Sequence, residues 1–97
     1  MNVERVREME GYLRECTEAT ESLAAQLERM ASVREPMIRL FSYYGSEAWY
    51  EDREGELPEG VPAGVLSEDL VYDQITEVRD AAFRMMELAA DILKNRI

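Results

Sequence analysis

Ninety-seven residues suit one domain with a modest core, and a composition 46% hydrophobic and 33% charged belongs to a globular chain rather than a disordered one. The net charge of −10, from 21 acidic against 11 basic side chains, repels nucleic-acid phosphates and anionic membranes, so neither is an expected partner. No apolar run reaches the ~18 residues of a membrane span; no signal peptide is read at the start, where charge follows Met1 within three residues; and a lone Cys16 excludes an internal disulfide, so the chain reads as cytoplasmic.

The first predicted element is a helix over about residues 3–31. From Val6, apolar or small residues recur at alternating steps of three and four: Val6, Met9, Leu13, Cys16, Thr20, Leu23, Leu27 and Met30. That spacing makes a narrow seam of the coiled-coil kind. Glu10 and Arg14 stand at the i,i+4 spacing that mildly favours helix, and Gly11 weakens the element by about 1 kcal/mol relative to Ala. Cys16 is expected as a small core hydrophobe, and Thr20 as a hydroxyl that bonds backbone or fixes a register.

The same phase runs on through Arg34 to Met37, Phe41 and Tyr44, but Pro36 removes an amide donor. Ser32-Val33-Arg34-Glu35 fits a capping box, so a kink or short break is expected at residues 31–35 and a second helix over about 33–44. Gly45 stops it. The last helix, about 67–95, begins at the N-cap Ser67 with Glu68 and Asp69 where the helix dipole favours acids. Val71, Ile75, Val78, Ala82, Met85, Ala89 and Ile92 form its seam, Leu70, Phe83, Met86, Leu88 and Leu93 widen it, and Lys94 and Arg96 close its final turn. This helix is expected to be the more buried one.

The fold expected is all-α: one domain over 1–97, a long antiparallel helical hairpin whose first helix is kinked or broken near Pro36. The uncovered seams call for a three-helix bundle or a dimeric four-helix bundle, with the dimer preferred. Between the helices lies a structured acidic loop, residues 45–66, of a length uncommon unless functional or self-packed. It holds the only Trp and two of the three Pro. From Glu47 to Asp73 there are nine acids and one base, Arg53, so this stretch carries −8 of the −10.

Tyr43-Tyr44-Gly45-Ser46-Glu47-Ala48-Trp49-Tyr50-Glu51-Asp52, then Leu57-Pro58, then Gly64-Val65-Leu66-Ser67-Glu68-Asp69 with Tyr72-Asp73, resemble the signature of a bacterial domain of unknown function, DUF4298. Met9-Glu10 in an N-terminal amphipathic helix also resembles that family. The likeness spans nearly the whole chain and departs just before Gly64, where Pro62-Ala63 stand in place of expected basic residues. It implies a small helical bacterial protein and no assigned activity.

Two kinds of chemistry fit the acids. A hard divalent cation, magnesium or calcium, prefers carboxylate oxygens, and Asp52, Glu54 and Glu56 alternate as in a calcium loop. The EF-hand template fails, since its glycine falls on Leu57 and its final glutamate on Ala63. Glu51 and Glu54, with Glu77 and Asp80, resemble the paired carboxylates with which helical nucleotide pyrophosphohydrolases hold magnesium, yet no basic cluster awaits the phosphates. Nucleophilic catalysis lacks a histidine base. The favoured reading is a non-enzymatic protein–protein interaction module without a cofactor, self-associating and facing a basic protein partner. Its surface would comprise Trp49, Tyr50, Glu51, Asp52, Glu54, Glu68, Asp69, Tyr72 and Asp73. Against this, Trp49 is the more readily read as a satellite core over Leu57, Val65 and Leu66, since a Trp is costly to leave in water.

Overall fold

The computed structural model describes residues 1–95. Every regular element among them is helical, as the composition and spacing require. The chain divides into two compact units, Met1–Met37 and Ile38–Ile97.

The first unit is dominated by α1, Val3–Ser32. Its start is set by Asn2, whose side chain accepts from the Arg5 amide at 2.9 Å and satisfies a donor that has no partner within the helix. The end comes at Val33, with φ −98° and ψ 4°. The Val33 amide is shared between the Arg29 and Met30 carbonyls, both at 3.2 Å, and its own carbonyl accepts from Met37 at 2.9 Å. The interruption is therefore one residue long, inside the expected 31–35 window. It is not made by the expected capping box, because the Ser32 hydroxyl turns back to the Arg29 carbonyl at 2.7 Å. α2 follows as Arg34–Tyr43, and Pro36 sits in its first turn, where its missing amide costs nothing.

No residue of α1 is buried, and Cys16 is exposed rather than in a core. The physical reason is that one helix has nothing within its own unit to lie against.

The second unit starts with the end of α2. The Tyr44 amide still reaches the Leu40 carbonyl at 3.1 Å, Gly45 turns left-handed at φ 77°, and the Ser46 amide returns to Tyr43 at 3.0 Å. Gly45 thus stops α2 as its position predicts, by adopting a backbone that a Cβ would penalise.

The stretch expected as an irregular loop is helical over its first part. α3 spans Glu47–Glu54, capped by the Ser46 hydroxyl, which accepts from the Trp49 amide at 3.3 Å. Glu51 and Glu54 are accordingly on a helix. After Gly55 the chain turns between Pro58 and Val61, with Gly60 at φ 87°, and a single 3₁₀ turn covers Gly64–Leu66.

α4, Glu68–Lys94, begins where expected: the Ser67 hydroxyl accepts from the Asp69 and Leu70 amides at 3.2 and 3.4 Å. Both α3 and α4 pack on the 3₁₀ turn. The core of this unit is small, with Trp49 at 3% and Val71 at 4% exposure. Ile75 and Val78 are half-buried, and beyond them α4 is exposed through Lys94. The closure of its final turn by Arg96 lies outside the described residues. No helix among the described residues is long and apolar enough to cross a membrane.

Candidate functional site

Helical spacing sorts α3 into two faces. Trp49 and Arg53, four apart, share one, and the Arg53 guanidinium lies over the indole at 4.6 Å from its centroid. Tyr44 and Tyr50 meet the same ring edge-on, at 5.0 and 4.9 Å between centroids with interplanar angles of 63° and 76°. The indole Nε1 donates to the Val65 carbonyl at 2.8 Å, which fastens α3 to the 3₁₀ turn. The Tyr44 hydroxyl donates to the Glu68 carbonyl at 2.8 Å and holds the end of α2 against the start of α4.

Trp49 is therefore the buried centre of this unit, at 3% exposure. Its ring meets Tyr44, Tyr50 and Arg53 and its Nε1 reaches the expected Val65, while Leu57 stays 44% exposed.

The other face of α3 carries Glu51 and Asp52, and Gly55 follows as its C-cap. With Glu56, Leu57, Val61, Pro62, Val65, Leu66 and Tyr43 they line a cleft of about 350 Å³. Its apolar side comes from the Leu57–Leu66 segment, its acidic side from Glu51, Asp52 and Glu56, and no base is among the lining residues. The Tyr43 hydroxyl donates to Asp52 at 2.5 Å, closing one end. That bond raises the Tyr43 phenol above its usual value, with partial burial and the Asp52 charge adding to the effect.

Arg53, the one base between Glu47 and Asp73, is committed twice. It stacks on Trp49 and pairs with Glu68 at 3.1 Å.

Of the residues expected at a partner surface, Glu51 and Asp52 are brought together in the cleft, and Tyr50 and Tyr72 are exposed, at 56% and 60%. Glu68 is taken up by Arg53 and Tyr44. Glu54, Asp69 and Asp73 are exposed and do not line the cleft. Sequence reasoning missed Val61 and Pro62 and did not place them beside Tyr43 and Glu56, which they join across the Pro58–Val61 turn. A signal for α3 itself was present in Ser46-Glu47, a cap followed by an acid in the first turn.

Glu51, Glu54, Glu77 and Asp80 are not assembled into a metal site. Among the described residues no group of three or more His, Cys, Asp or Glu side chains is placed to hold an ion. Glu51 and Glu54 belong to α3, Glu77 and Asp80 to α4, and the fold does not converge the two pairs.

The structural class is thus an all-α protein with a tryptophan-centred helical knot at the start of its last helix. The chain belongs to the family described as domain of unknown function DUF4298, whose model matches residues 6–88. No curated protein and no solved structure matches it.

Proposed function

We propose that the protein is a non-enzymatic interaction module whose cleft beside α3 receives a basic segment of a partner protein. The observation that carries this reading is the pairing, in one cleft, of an apolar wall from Leu57–Leu66 with Glu51, Asp52 and Glu56 and no base. An amphipathic basic side chain suits it, laying its methylenes on Val61 and Val65 and its charge among the carboxylates. The surplus of −8 between Glu47 and Asp73 would steer such a partner towards the cleft.

The probe is a synthetic peptide of alternating arginine and leucine, with a control in which glutamate replaces arginine. Titration calorimetry is expected to show binding of the first alone, weakened by salt. The pair Glu51→Gln and Glu56→Gln is expected to weaken it about threefold to tenfold, on the scale of two exposed ion pairs. Binding indifferent to salt and to both substitutions would overturn the proposal.

A further inference from the structure

α1 carries a second surface, independent of the cleft. Its six large seam residues, Val6, Met9, Leu13, Leu23, Leu27 and Met30, are 38–60% exposed, and its own unit holds no other element of comparable length to cover them. We propose that this seam is the interface between two copies of the chain, with the α1 helices antiparallel about a two-fold axis level with Glu18.

The register follows from the spacing. In an antiparallel pair each a position meets a d position of the other helix. One alignment does this at every layer: Val6 opposite Met30, Met9 opposite Leu27, Leu13 opposite Leu23, and Cys16 opposite Thr20. Large residues meet large ones towards both ends, and the two small ones meet at the centre. A two-fold axis needs such a self-complementary patch.

The flanks agree. In this alignment Glu10 lies beside Ala24, Tyr12 beside Gln26, Thr17 beside its own copy and Ala19 beside its own copy, so no like charges face each other. Direction is set by the helix dipoles, which an antiparallel pair opposes and a parallel pair would align.

Seam and flanking positions together place about 16 residues of each chain in contact, against about 20–30 a side in a standard interface. The dimer is accordingly reversible and concentration-dependent.

Sedimentation velocity of the full chain over a concentration series is expected to show a monomer–dimer equilibrium. Leu13→Glu should abolish it while leaving the Trp49 emission spectrum unchanged, which separates lost association from lost folding. For the register, Cys16→Ser chains are oxidised mildly after adding Val6→Cys to one sample and Met30→Cys to another. The mixture is expected to form a crosslinked dimer at least about tenfold faster than either sample alone. A monomer at every concentration would overturn the proposal, and so would rapid crosslinking of the Val6→Cys chain with itself, the mark of a parallel pair.

Discussion

A tryptophan contributes through the area it removes from water and through its single polar atom, and at Trp49 both are accounted for. The ring is 3% exposed between two tyrosines and a guanidinium, and its Nε1 is satisfied by Val65. Trp49→Phe keeps most of the area but deletes the bond, so it is expected to destabilise the second unit by about 1–3 kcal/mol. Trp49→Ala also leaves a cavity and should cost about 3–5 kcal/mol. Urea denaturation followed by circular dichroism measures both, and equal losses from the two variants would contradict this division.

Tyr43 gives a pH signature. Only its protonated hydroxyl can donate to Asp52, so folding binds that proton more tightly and the phenol's value is raised above 10.0. The resulting stabilisation is fully present below pH 10 and is lost as pH climbs through the higher folded value. The midpoint advantage of the parent chain over Tyr43→Phe is therefore expected to be constant from neutral pH to about 10 and to vanish above it. An advantage unchanged at the highest pH would break the link to Asp52.

At the scale of elements, the caps decide where helices begin and stop. Ser67 satisfies two amides of α4, and Ser67→Ala should cost about 1 kcal/mol. Gly45 holds φ 77° with open space around its Cα, so Gly45→Ala is penalised by backbone strain alone, by about 1 kcal/mol. Thermal unfolding of the two variants measures these costs. Pro36→Ala should leave the midpoint nearly unchanged, because the ring sits where no donor is needed.

These same elements show which information is local. α1, the break at Val33, the stop at Gly45 and the start at Ser67 could be read from the sequence, because each is set by spacing or by a cap within four residues. α3 offered only its Ser46 cap as a signal, since eight residues are too short for a periodic one and the surrounding Gly, Pro and acids read as loop. The cleft was hidden further. It joins Tyr43, the far face of α3 and Val61–Leu66, residues whose proximity depends on Trp49 reaching Val65. The burial of Trp49 and its link to Val65 are legible from the cost of leaving an indole in water, but its ring neighbours, two tyrosines and an arginine, are not legible from hydropathy.

At the scale of the whole molecule, the chain combines one unit whose long helix offers an apolar seam with another whose small core supports an acidic cleft. Its net charge of −10 is concentrated, with −8 between Glu47 and Asp73, and the only base there is occupied. A surface of this kind is expected to be salt-sensitive towards cations and indifferent to nucleic acid, which a filter-binding titration with duplex DNA checks: retention would contradict it.

The most direct test of the central claim is a map of backbone amide shifts in the isotope-labelled full chain as the arginine–leucine peptide is added. Shifts gathered on Glu51, Asp52, Glu56, Leu57 and Val61, and fading in high salt, are the expected result. Shifts scattered over the acidic surface, or centred on Glu77 and Asp80 of α4, would contradict a binding cleft beside α3.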